Sequence, residues 1–288
     1  MNLTTSRLHD LILEVLNEEK QLSIIREMDI SQLSNVCYTG GSTHILATCK
    51  IGEDSYYLKF PADTGDFERP SDKSMQVGVE YLAYKIYQLY PDSKVPAGIH
   101  VVSEPSKKRI GIATQEAPGV PGSYRTAKHW ANSISGGAMV DIFLANHDIG
   151  NPQNFIYNQE TDEITRIDLG AAMDFRARGG RKGRRFSKRA SDMERMLDPT
   201  ADGAGWLLSQ VDMKKACTDF LTVSWEQIQQ VISEVRVEVS EELQNAGLHE
   251  LVSNWDQECD EITETLGLRH PIIVDHCEHA LKEMGVQK

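Results

Sequence analysis

The stretch "NHDIGNPQNFIYNQETDEITRIDLG", residues 146–170, sets acidic and amide side chains at the two ends of a short hairpin. An apolar, helix-like run, "MVDIFLA", precedes it. Asp148 stands in the polar knot before the strand-like "FIY", and Asp168 ends the second strand-like run in "IDLG". Two acidic groups so placed can converge on one divalent cation, and a hard cation such as Mg²⁺ takes carboxylate and carboxamide oxygens. Asn151 and Asn154 lie in the same stretch. In the plainer reading both aspartates are turn or helix-capping residues. Lys59 in "YYLKF" lies inside an apolar strand, where an unpaired ammonium is costly to bury. Either it pairs with a carboxylate, for which Glu80 beside the apolar Val79 face is the natural partner, or it points to water from a strand edge. Glu68 falls earlier, in a loop.

The elements that must position these groups are legible in the hydrophobic periodicity. Leu8, Leu11, Ile12, Val15 and Leu16 follow the spacing of an amphipathic helix. "ILATCKIGEDSYYLKF" reads as two strands about a turn at Gly52, Glu53 and Asp54. Met75, Val79, Leu82, Ile86 and Leu89 share one helical face, and Pro91 stops that run. "GIHVVSE" and "RIGIATQEA" form a second strand pair ending at "PGVPG", a candidate hinge. Beyond Gly122 the pattern is helical apart from the hairpin, and Ser224 with Gln227 makes a capping box. Tyr81, Tyr84, Tyr87 and Tyr90 recur along one helix and read as packing residues.

Composition sets the outer bounds. The chain has 288 residues, enough for a sizeable core, and 30 basic against 43 acidic residues give a net charge of -13. That balance argues against general nucleic-acid binding. No apolar run approaches the roughly 20 residues of a membrane span, and the charged, periodic N-terminus does not read as a signal peptide. Five scattered cysteines without a CxxC pair argue against a zinc site or a disulfide framework, and for a reducing, cytoplasmic compartment. A secreted effector or a viral product is compatible with the same residues.

A helix, a mainly β part, a short hinge and a helical part with one embedded hairpin follow in the order found in protein-kinase-like enzymes. On the segment 37–189, and above all Phe143–Gly170, the chain resembles the atypical edge of that superfamily: HipA-like, actin-fragmin-kinase-like and phosphoinositide-kinase-like proteins. The resemblance implies an α+β, two-lobed protein-kinase-like fold, with a small antiparallel-sheet N-lobe carrying one main helix and a larger helical C-lobe holding the catalytic hairpin. It divides the chain into an N-terminal extension (1–34), an N-lobe (35–120) and a C-lobe (121–288).

The resemblance further implies an ATP-dependent kinase using Mg²⁺ or Mn²⁺ and acting on a hydroxyl, more readily of a protein than of a lipid or small molecule. Asp148 is then the base or orienter of the hydroxyl, Lys59 paired with Glu80 holds the ATP phosphates, and Asp168 and Asn154 hold the metal. Gly40, Gly41 and Ser42 in "YTGGST" stand where a phosphate-covering loop would be, although the full glycine motif is absent and a tight turn fits the same residues. Gln115, Glu116 and Ala117 stand where a hinge would meet adenine. Asn154 is one position later than is usual in protein kinases, where Gln153 stands, so Asn151 is the alternative, with Asn154 favoured because it directly precedes the strand. That shift keeps open a pseudokinase or scaffold, and some kinase folds transfer AMP instead.

The segment after "IDLG" reverses the charge of the chain. Arg176, Arg178, Arg181, Lys182, Arg184, Arg185, Lys188 and Arg189 follow one another with no acid among them. By position this is an activation-like segment. It can dock an acidic peptide, bind a polyanion, pair with the protein's own acidic helices, or stay a solvated loop.

Overall fold

The structure is a computed structural model that describes residues 36–37, 44–51, 54–61, 67–123, 131–183, 186–201 and 203–286. The helix expected near the N-terminus, the loop residues Gly40, Gly41 and Ser42, and Arg184 and Arg185 lie outside the described residues.

The first part is an antiparallel sheet. Strands β1 (Val36–Cys37), β2 (His44–Ile51), β3 (Asp54–Pro61), β4 (Ile99–Glu104) and β5 (Arg109–Gln115) take the order β1-β2-β3-β5-β4. Lys59 stands opposite Leu46 of β2 and Ile112 of β5. It therefore lies on a central strand, and the strand-edge reading does not hold. Side chains alternate across a strand, so Tyr56, Leu58 and Phe60 are buried while Tyr57 and Lys59 take the other face.

Helix α1 (Asp72–Gln88) crosses between β3 and β4 in sequence and is buried along nearly its whole length. A helix buried all round is packed on every side. Trp255, itself fully buried, lies against the helix at Gly78, where a Cβ would stand 2.7 Å from its ring. Pro91 follows the helix end as the sequence indicates.

The second part is mostly helical. Helix α2 (Ser135–Phe143) is buried throughout and gives way to two short 3₁₀ turns, His147–Gly150 and Pro152–Asn154. A small sheet of β6 (Val120–Pro121), β7 (Phe155–Asn158) and β8 (Glu163–Arg166) holds the hairpin. The "PGVPG" stretch read as a hinge is thus paired, Val120 with Tyr157 and Pro121 with Ile156. A boundary drawn after residue 120 runs through β6. Then follow α3 (Met193–Leu197), α4 (Ala204–Leu208), α5 (Met213–Phe220), α6 (Trp225–Asn245) and α7 (Val252–Glu283). The Ser224–Gln227 capping box opens α6 with both of its hydrogen bonds made. Cys217, Cys259 and Cys277 are buried free thiols. Among the described residues no helix is long and apolar enough to cross a membrane.

Candidate active site

Three charged groups, from β3, α1 and the loop after β8, meet beside α1. Lys59 Nζ on β3 donates to Glu80 Oε1 and Oε2 on α1, each at 2.9 Å, and to Asp168 Oδ1 beyond β8 at 2.6 Å. Burial works to lower the Lys59 pKa, but the Asp168 and Glu80 carboxylates outweigh it and hold the ammonium charged. Glu80 is 2 % exposed and Asp168 54 %, so one carboxylate is an internal anchor and the other keeps a face open to solvent.

The loop bearing Asp168 is fixed by its backbone. Asp168 has φ +55°, a left-handed conformation unusual for a residue with a side chain. Its N–H donates to the Tyr84 hydroxyl at 2.8 Å. Gly170 is needed where the loop meets α1, since a Cβ there would stand 2.9 Å from Glu80 Oε2. Gln76, one turn before Glu80, donates to the Gly170 carbonyl at 2.9 Å and to the Arg176 carbonyl at 3.2 Å.

Asp148 sits on the first 3₁₀ turn. Asn154 Nδ2 donates to its carbonyl at 3.1 Å and to its Oδ2 at 2.7 Å. Asn151 stands behind, donating to Asn154 Oδ1 at 3.3 Å and accepting from the Gln153 N–H. Of the two amides offered by the sequence, Asn154 is therefore the one that touches Asp148. Burial pushes the Asp148 carboxyl up, the Asn154 hydrogen bond pulls it down, and the nearby Asp168 charge raises it again. His147 lies 3.8 Å from Asp192.

The turns that carry Asp148 and Asp168 are tied together by groups that the sequence did not single out. Arg166 on β8 donates to Asp141 Oδ2 of α2 at 3.2 and 3.1 Å and to the Ile134 carbonyl at 2.6 Å, and the Tyr87 hydroxyl donates to Asp141 Oδ1. Asp141 and Arg166 are both buried. Arg166, with Thr165 and Asp168 close by, shows no contrast with its neighbours. Asp141 stands as a lone charge in the apolar run "MVDIFL", and an unpaired charge there is costly. That was the available signal. Lys182 gave none. It is 6 % exposed and donates to the carbonyls of Ala145, at 2.6 Å, and Ala171. Arg269 of α7 holds Asp192 through both nitrogens, at 2.7 and 3.0 Å, and donates to the Phe143 and Ile142 carbonyls.

Other expected site residues are placed differently. Arg181 is engaged internally by Asp72, Asp174 and Glu258, with its guanidinium 4.8 Å from the Phe175 ring. With Lys182 buried, neither residue is presented for docking. Arg176 and Arg178 are exposed. The backbone N–H of Gln115 bonds the Gly98 carbonyl and that of Glu116 bonds the Ser55 carbonyl, both at 2.7 Å. Those two amides are thus committed to the sheet, and the side chains of Gln115 and Glu116 contact Asp54 and Tyr57. Ala117 is half-buried beside them.

Among the described residues no three His, Cys, Asp or Glu side chains form an all-protein metal cage. Mg²⁺ bound with phosphates and water needs fewer protein ligands. The half-open Asp168 carboxylate and the Asn154 amide oxygen are hard donors that suit it.

No protein-family model and no curated protein matches the chain. Among solved structures it is similar to a Helicobacter pylori proinflammatory kinase, CtkA, at 12 % identity and a TM-score of 0.43, over 84 % of this chain and 95 % of that one.

Proposed function

We propose that this chain is a kinase-like phosphotransferase that moves the γ-phosphate of ATP to a hydroxyl of a protein. One observation carries the reading: a cationic Lys59 held between a buried Glu80 and a half-exposed Asp168. The second carboxylate keeps a face open to solvent, near the turn that carries Asp148. In phosphoryl transfer the protein mainly positions the charged group and offsets its charge.

In this reading Lys59, fixed by Glu80, reaches the ATP phosphates. Asp168 and Asn154 hold Mg²⁺ or Mn²⁺, which when bound neutralises phosphate charge. Asp148, aimed by Asn154, orients the acceptor hydroxyl and takes its proton. The acceptor oxygen bonds to the γ-phosphorus as the bond to the bridging oxygen breaks, and ADP leaves with that electron pair. The raised Asp148 pKa suits a base better than a free aspartate.

The test follows label from ATP into protein. With γ-labelled ATP and Mg²⁺, label enters product; with α-labelled ATP it does not. Asp168→Ala abolishes metal-dependent transfer, and Asp148→Asn lowers kcat by about 10²–10⁴-fold. Undiminished transfer by Asp168→Ala overturns the site assignment, and label from the α position replaces phosphate transfer by AMP transfer.

A further inference from the structure

Asp148 lies between two small clefts that share it and His147. One, of about 270 Å³, is bounded by Asn151, Arg195, Met196 and Gly203. The other, of about 210 Å³, is bounded by Ala171, Arg176, Ala177 and Lys182. Each falls short of the roughly 300–1,000 Å³ usual for small-molecule sites, so neither encloses a whole ligand. Two shallow clefts on either side of one carboxylate suit a chain lying across it with a side chain in each.

Each cleft carries one exposed arginine, Arg195 or Arg176. Neither has an ion-pair partner among the described residues, whereas Arg181, Lys188 and Arg269 are all paired with the protein's own carboxylates. Arg176 also starts from a fixed backbone: its N–H bonds the Gly180 carbonyl at 2.8 Å and its carbonyl accepts from Gln76. In a chain of net charge -13, two unpaired arginines bracketing the candidate base are a local excess that a substrate can complement.

We propose that the acceptor is an extended acidic protein segment, with its hydroxyl residue at Asp148, one flanking carboxylate at Arg176 and another at Arg195. The inference rests on the phosphotransfer reading and adds the substrate class. A nucleic acid or an inositol polyphosphate fits less well. Such ligands need many cations in one place, and among the described residues each cleft offers one unpaired arginine, with Arg181 and Lys182 of the same segment engaged inside the protein.

The experiment compares serine peptides differing only in their flanking residues, Asp and Glu against Asn and Gln, with the full chain, ATP and Mg²⁺. The acidic peptide has the higher kcat/KM, by about tenfold for two exposed pairs, and salt erodes the difference. The gain lies in KM. Arg176→Glu with Arg195→Glu removes or reverses the preference, while Lys214→Glu, a charge reversal lining neither cleft, keeps it. Equal turnover of the two peptides by the wild-type protein, or a preference that survives the double reversal, overturns the proposal while leaving phosphotransfer intact. Inhibition by oligouridylate or inositol hexakisphosphate well below the peptide's KM overturns it in favour of a polyanion. Fluorescence polarisation of the labelled acidic peptide without nucleotide separates the two readings. Binding lost on charge reversal supports the docking site even if no phosphate moves.

Discussion

A lysine has three N–H bonds to give when charged and two when neutral, and the fold offers Lys182 two carbonyls, Ala145 and Ala171. Burial pushes this amine down to about 7; Asp192, Asp174 and Asp148 pull it up, and Arg269 pushes it down again. In the unfolded chain the same group titrates near its ordinary value of 10.5. From about pH 7 upward the unfolded state therefore holds more protons, and stability rises with pH through this residue. Below that value both states are protonated and the full cost of a buried cation is present. Urea unfolding of wild type and Lys182→Met from about pH 7 to 8, below most thiol ionisation, reads the effect. The wild-type advantage grows with pH, and a constant difference would mean that Lys182 stays charged when folded. Gly170→Ala tests a contact of the opposite kind. Its new Cβ meets Glu80 Oε2 at 2.9 Å and Lys59 Nζ at 3.3 Å, so the carboxylate end must shift and the pair's geometry is disturbed. The expected cost is about 1–3 kcal/mol, with a raised KM for ATP; urea melts and nucleotide titrations check the two parts separately.

At the scale of elements, α1 does more than supply a partner for Lys59. Gln76, Glu80, Tyr84 and Tyr87 follow one another at helical spacing, and they reach the Gly170 carbonyl, Lys59, the Asp168 N–H and Asp141. The apolar face of this helix, the strand pairs and the hairpin were legible in the sequence, because periodicity is a local signal, and so was the need of Lys59 for a partner. That the partner is Glu80, 21 positions on, drew on the kinase resemblance. The tyrosines read as packing alone, since a phenol's bulk shows in the pattern and its hydroxyl's partner does not. Arg166 and Asp141 pair across 25 positions, and nothing local says which buried charge meets which. Their bond fixes β8, and so Asp168, against the helix that leads to Asp148. Arg166→Met leaves Asp141 buried and unpaired, with an expected loss of about 3–5 kcal/mol. Adding Asp141→Leu recovers most of that stability in thermal melts, because two well-packed apolar residues are often no worse than a buried pair. Failure to recover would assign the loss to packing around Arg166 and not to the orphaned charge.

For the molecule as a whole, the candidate nucleotide site is a seam. Lys59 comes from the five-stranded sheet, Asp168 follows the last strand of the three-stranded one, and Glu80 comes from α1, which packs on the first of the two sheets. Arg181 closes the same seam on its outer side, joining Asp72 at the start of α1 to Asp174 and to Glu258 of α7. A ligand bound across this seam only in the folded state must raise the melting temperature. At a hundredfold excess over Kd the gain is about 2.7 kcal/mol, and at roughly 2–4 °C per kcal/mol for a large domain the shift is about 5–10 °C. The pattern across variants carries the information. Wild type shifts more with ATP and Mg²⁺ than with ATP and EDTA. Asp168→Ala loses that difference, because it removes the carboxylate that would hold the cation, while Lys59→Ala loses most of the shift in both conditions. A wild-type protein indifferent to millimolar nucleotide would mean that the triangle of Lys59, Glu80 and Asp168 is only a structural clasp. The exposed arginines of the segment after Gly170 would then remain as a partner-binding surface on a non-catalytic scaffold.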